Sequence, residues 1–331
     1  MNMKIDMHTH VAPREAVKIA EKGGYWHGIN FSRDKNEKLT TSHGDETMSL
    51  PWPVRMETPE ERLKSMDDRK IDMHILSLSP LMHWHKLDRE NGISYSQDVN
   101  DDISDYTEIN KSRFKSFCFL PLQDTDASIY ELERCVVSKG MVGAMVATNV
   151  NGMDWDSEKL YPILEAANEL KCLIFFHPTR GRANSWLTNY HLRNLIGNPL
   201  ETTVAMGNII FSGIMDKLPN LNLCFAHGGG YIRQGIGRFN HGYNVREEAK
   251  SNISHLPSDY LKSFYYDTIT HSEEGLRNLI NIVGDEQIFL GSDYPADMGE
   301  PYPVHFVENC SSITDSEKSK IFEENISKFF K

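Results

Sequence analysis

The sequence predicts a (β/α)8 barrel, and three observations carry that prediction. Short β-rich runs recur at regular spacing, helical stretches alternate with them, and histidine and aspartate collect where the runs end. Most of the runs are nearly continuous apolar stretches, as strands covered on both faces must be.

The strands are expected at 4–10 (KIDMHTH), 72–80, 114–122, 141–150, 171–179, 221–229, 264–270 and 287–295. Helices are expected at 59–70, 98–112, 126–140, 157–171, within 185–218, and at 273–284. Two starts carry cap chemistry: Thr58 before Pro59-Glu60-Glu61, and Asp156-Ser157 before Glu158. Neither an internal repeat nor a low-complexity linker interrupts the pattern, so residues 1–331 are expected to form one domain. Residues 13–57 depart from the alternation, with Gly23-Gly24, Trp26 and Trp52. A stretch that long after a barrel strand reads as a functional insertion forming part of the active-site mouth. From 303 onward one or two helices are expected, the last an amphipathic segment packed on the barrel.

Composition narrows the function. The chain has 331 residues, 39% hydrophobic and 25% charged, with a formal net charge of -12. That balance argues against nucleic acid or an anionic membrane as partner. No apolar run approaches the ~20 residues of a membrane span. The N-terminus turns polar too soon for a secretion signal, so a cytoplasmic location is expected. The five cysteines are scattered, odd in number and without a CxxC pair. They read as small buried hydrophobes in a reducing compartment.

Barrel enzymes carry their chemistry at the carboxyl ends of the strands. The first strand ends in His8-Thr9-His10, and period-two alternation puts both imidazoles on one face. The fifth ends in His177-Pro178, the sixth in His227 and the eighth in Asp293. Nitrogen and carboxylate donors meeting at one mouth suit Zn2+ or a similar divalent ion. The fourth strand ends in Thr148-Asn149 and offers no lysine to bridge two metals, which favours a single ion. His227 precedes Gly228-Gly229-Gly230, where backbone can approach a ligand, and a histidine there fits a general acid/base beside the metal. His83-Trp84-His85 falls past the second strand and reads as a pair of surface or substrate-loop histidines.

Taken in order, IDMHTH, RLKSMDDRKID, FLPLQD, His177-Pro178, CFAHGGG, FYYD, LGSDYP and ISKFF resemble the amidohydrolase superfamily. Within it the chain is similar to the branch of aminocarboxymuconate semialdehyde decarboxylase and related metal-dependent decarboxylases. The resemblance implies one divalent metal, Zn2+ or alternatively Mn2+, held by His8, His10, His177 and Asp293, with His227 as acid/base. It also implies a homodimer in which Arg238 and Arg246 match arginines that hold substrate carboxylates, one of them reaching over from the partner subunit. Tyr190 matches an aromatic lining the pocket. The family's other substrate arginine lies in an Arg-Pro-Val segment; here Leu50-Pro51-Trp52-Pro53-Val54-Arg55 stands there, making Arg55 the shifted counterpart.

The expected activity is non-oxidative decarboxylation of a small conjugated or aromatic carboxylic acid, with a metal as Lewis acid and His227 or Asp293 handling the proton. The alternative is a hydrolase of a C–C, lactone or amide bond, or a hydratase of the same branch. In that case Asp293 takes the proton of the attacking water and His227 stabilises the oxyanion.

Overall fold

A computed structural model describes residues 2–49, 58–179 and 181–330. Eight parallel strands follow one another around a barrel: β1 (Ile5–Val11), β6 (Met73–Leu78), β7 (Phe114–Cys118), β8 (Gly143–Ala147), β9 (Leu173–His177), β10 (Asn222–Phe225), β11 (Tyr265–Asp267) and β12 (Ile288–Phe289). Seven lie inside the runs expected from the sequence, and β1 overruns its expected stretch by one residue, Val11. The seam between first and last strands is closed by Met7 N–H donating to Leu290 O at 2.9 Å. Beyond it, Asp293 N–H donates to His8 O (2.8 Å) and His10 N–H to Tyr294 O (2.7 Å).

Apolar side chains fill the barrel from inside, among them Ile5, Met7, Ile75, Phe117, Phe175 and Phe289. A second, larger apolar layer lies between the strands and the outer helices. The end of the barrel where the strands begin is covered by the C-terminal segment: helical residues 315–327 bury Ile321 and Ile326, and Phe329 packs edge-on against Tyr265 at 5.4 Å. All five cysteines are buried and unpaired, as expected.

The helix Pro59–Asp68 begins with the expected cap, since Thr58 Oγ accepts from Glu61 N–H while Glu61 reaches back to Thr58 N–H. Two helix starts differ from expectation. The segment after Asp156-Ser157 runs through turns, and its helix spans Tyr161–Leu170, with Pro162 in the first turn where its missing N–H costs nothing. The helix expected at 98–112 is longer, Arg89–Ile109, because Asp88 caps it by accepting from Asn91 N–H.

The insertion has regular structure. A helix, Arg14–Lys22, leads into an antiparallel meander of β2 (Gly24–Trp26), β3 (Ile29–Arg33), β4 (Leu39–His43) and β5 (Glu46–Ser49). Ile29, Phe31 and Leu39 are buried with Ala16, Val17 and Ala20 of that helix. Trp26 packs on Tyr95 and His43 on Trp84, which ties the meander to the segment leaving β6. Among the described residues no helix is long and apolar enough to cross a membrane.

Candidate metal centre

β1 delivers two imidazoles to one point. Thr9, between them, turns away and donates to Ile75 O, while His8 Nε2 and His10 Nε2 stand 3.2 Å apart. His177, the last residue of β9, brings its ring to 4.9 Å from that of His8 and 5.0 Å from that of His10, between centroids. Asp293, four residues past β12, places Oδ1 at 2.8 Å from His10 Nε2, 3.3 Å from His8 Nε2 and 3.8 Å from His177 Nε2. One ligand atom from each of these four buried residues lies within 4.8 Å of all the others.

The partners of the far nitrogens assign the tautomers. His8 Nδ1–H donates to the Asp267 carboxylate at 2.7 Å. His177 Nδ1–H donates to Pro178 O at 2.8 Å, and a carbonyl can only accept. The Ser77 hydroxyl spends its proton on Thr9 O, so at 3.0 Å it accepts from His10 Nδ1–H. Each ring thus turns Nε2 toward the Asp293 carboxylate, as a lone pair on neutral His10 and His177 and, on His8, as the nitrogen whose proton a metal would replace; His177 Nε2 is buried with no hydrogen-bond partner. Three imidazole Nε2 atoms and a carboxylate facing one point, each histidine held by a polar partner behind it, fit a divalent cation.

The electrostatics agree. Burial pushes His10 down to about 4 and His177 down to about 3, keeping both neutral. Burial also lowers His8, but Asp293 and Asp267 outweigh it and raise the group to about 10. His8 therefore carries the proton that a divalent ion would displace. Burial would raise Asp293, yet the imidazoles of His8, His10, His177 and His227 hold it well below the usual carboxylate range.

His227 sits on a strained turn after β10. It and the next three glycines all have positive φ (57°, 59°, 76° and 63°). A Cβ at Gly229 would lie 2.6 Å from the Tyr266 ring, and one at Gly230 2.3 Å from Pro199 O, so glycine is required at both. This turn presents His227 Nε2 at 3.5 Å from Asp293 Oδ2, with Nδ1 buried and unpartnered. The imidazole lies beside the four-residue cluster, where an acid/base is expected.

Asp267, at the end of β11, is the residue that sequence reasoning missed. Its Oδ2 accepts from His8 Nδ1–H and His227 N–H (2.9 Å), and its Oδ1 from Gly228 N–H (2.8 Å) and Ile269 N–H (3.1 Å). One fully buried carboxylate thereby orients both a candidate ligand and the turn bearing the candidate acid/base. Burial would raise it, but His8 heads the contacts that keep it below its ordinary value. The only sequence signal was the aspartate closing FYYD.

Other expected residues stand elsewhere. Tyr190, Arg238 and Arg246 are exposed in the single chain, and none hydrogen-bonds to the cluster. Arg55 lies outside the described residues. His83 and His85 are not surface residues: both are buried against Phe119, outside the four-residue cluster, and all four of their ring nitrogens lack partners. A cavity of about 310 Å3 opens onto His227 and Asp293 and is also lined by Arg233, Thr270, His271 and Met298.

The comparisons with known proteins match this architecture. The chain is 32% identical over 333 residues to 2-amino-3-carboxymuconate-6-semialdehyde decarboxylase of Dictyostelium discoideum, covering 99% of this chain and 91% of the relative. Its fold is that of 5-carboxyvanillate decarboxylase from Sphingomonas paucimobilis, with a TM-score of 0.82 at 21% identity over 100% of this chain and 99% of the other. It is also that of a dihydroxybenzoic acid decarboxylase from Polaromonas sp. JS666, solved with bound manganese and an inhibitor (TM-score 0.80, 23% identity, 100% and 97% covered). The model of the family described as Amidohydrolase matches residues 5–331. The chain belongs to the amidohydrolase family.

Proposed function

We propose that this protein is a metal-dependent carboxy-lyase that decarboxylates a small conjugated or aromatic carboxylic acid without oxidation. The observation that carries the reading is the convergence of His8, His10 and His177 Nε2 with the Asp293 carboxylate in a chain whose relative, matched along nearly its whole length, is a decarboxylase. Those four residues would hold one divalent ion. Their donor set suits Zn2+, with Mn2+, as in the Polaromonas protein, the other candidate. When bound, the ion supplies a Lewis acid that polarises a substrate oxygen.

The chain's own groups do the rest. Loss of CO2 leaves an electron pair on carbon that must be delocalised and then protonated. His227, half-buried with Nε2 at 3.5 Å from Asp293 Oδ2, is assigned the delivery of that proton from Nε2. Asp293 has its second oxygen toward His227 and can relay the proton. Arg238, Arg246, Arg55 and Tyr190 are assigned to substrate binding, one of the first two reaching across a homodimer interface. Support for that interface comes from Trp186, Tyr190, Leu195 and Ile196, exposed along one stretch of chain that Tyr231 Oη anchors by donating to Leu195 O. The chain is read as one barrel domain over 1–331 with 13–57 contributing to the mouth, working in the cytoplasm.

The test is CO2 release from carboxymuconate-type and ortho-hydroxybenzoate acids by metal-loaded protein, with and without a chelator. Chelator-sensitive CO2 is expected. Substrate consumption without CO2 would overturn the reading in favour of hydrolysis or hydration.

A further inference from the structure

The cavity beside the candidate metal centre is chemically lopsided. Of its lining residues, Asp293 is the one anion and Arg233 the one permanent cation; the others are neutral or histidine. Asp293 belongs to the candidate metal-ligand set. Arg233 sits in the first turn of the helix Ile232–Val245, immediately after the strained glycine turn, so the geometry that fixes His227 also fixes the start of this side chain.

Arg233 is held but not neutralised. Its Nη1–H donates to Gly275 O at 2.8 Å, which anchors the side chain to the segment after β11. Its Nε is buried with no hydrogen-bond partner, and among the described residues no carboxylate pairs with it. Burial pulls the guanidinium below its ordinary value even though Tyr266 and Asp267 oppose the shift. A largely buried, unpaired guanidinium is costly, and its planar fork matches a carboxylate. Two other partly buried arginines are each matched by two carboxylates: Arg134 by Glu131 and Asp101, Arg182 by Glu201 and Asp154. Arg233 lacks such a match at the place where a ligand would lie.

We propose that Arg233 is a specificity-determining residue that grips a second anionic group, a carboxylate, at the end of the substrate remote from the metal centre. The inference rests on the decarboxylase reading for the reacting end, and it adds that Arg233 is what makes the cavity prefer an acid with a second negative group. It also assigns an anion-binding arginine within the chain's own cavity, where Arg238 and Arg246 are exposed.

The experiment is calorimetric titration of the metal-loaded protein with benzoate, isophthalate and terephthalate, for the wild type and for Arg233→Met. At least one dicarboxylate should bind the wild type more tightly than benzoate. Arg233→Met should weaken that dicarboxylate by about 10-fold or more, the scale of one lost charge-assisted contact, and leave benzoate unchanged. Arg233→Gln, whose amide can still donate to Gly275, should show the same selective loss, which separates anion binding from anchoring of the turn. Equal weakening of all probes, no change in any, or a wild type indifferent to the second carboxylate would each overturn the proposal. Loss of benzoate binding on chelation reports on the metal reading alone, so the two can fail independently.

Discussion

Replacing Asp267 with asparagine should loosen the metal centre without touching a candidate ligand. The wild-type carboxylate faces donors on both oxygens: His8 Nδ1–H and His227 N–H on one, Gly228 N–H and Ile269 N–H on the other. Asparagine has a single acceptor oxygen. Whichever way its amide turns, an NH2 group meets two donors, and two hydrogen bonds to a charged acceptor are lost. At about 1.5–3 kcal/mol each, the loss is about 3–6 kcal/mol of a total stability of about 5–15 kcal/mol. The ring of His8 also exchanges a charged partner for a neutral amide oxygen or for an NH2 group that cannot accept its proton, which should weaken metal binding by about 10- to 100-fold. Competition with a chromophoric chelator gives the affinity, and thermal melting of the metal-free protein gives the stability. An affinity within about 3-fold of wild type would refute the view that Asp267 orients His8, since orienting partners are worth more than that.

Two further outcomes are expected. The double change His8→Ala with His10→Ala should abolish bound metal, measured by elemental analysis of purified protein; stoichiometric metal in that variant would sink the ligand assignment. Burial holds His85 down at about 4 in the folded state against an ordinary value near 6.5. The folded value is depressed for a base, so its contribution is fully present above pH about 6.5 and is lost as pH falls toward 4, up to about 3 kcal/mol. His85→Phe, which keeps an aromatic ring against Phe119, should flatten the melting profile between those pH values, and an unchanged slope would contradict the assignment.

The barrel was legible because its strands are buried on both faces and so read as apolar runs. The insertion was not, because its strands are three to five residues long and half-buried, and segments such as Glu46–Ser49 offer little apolar signal. The pairing of His8 and His10 on one face was legible from spacing alone, even though the β1 register shifts between Asp6 and Thr9. The role of Asp267 was not, since its partner His8 is 259 residues away and a strand-end aspartate has many possible uses. His83 and His85 misled in the other direction: a polar-looking loop sequence conceals two neutral, buried rings. Pro162 and Asp88 set helix starts that broader periodicity placed several residues away.

The candidate ligands are distributed unevenly around the barrel, and this bears on how the fold holds shut. His8 and His10 belong to the first strand and Asp293 to the segment after the last, so the centre straddles the seam where the two ends of the sheet meet. Backbone hydrogen bonds such as Met7 N–H to Leu290 O cross there, and the ligands span the same line. An ion held by these residues would act as a clasp between the chain's first and last barrel strands. Its binding energy would then appear as resistance to opening, worth about 4 kcal/mol at a free-ion concentration 1,000 times the dissociation constant. Starvation for metal would in that case cost the cell more than idle active sites. It would raise the fraction of chains whose barrels stand open, and so their exposure to proteolysis and aggregation.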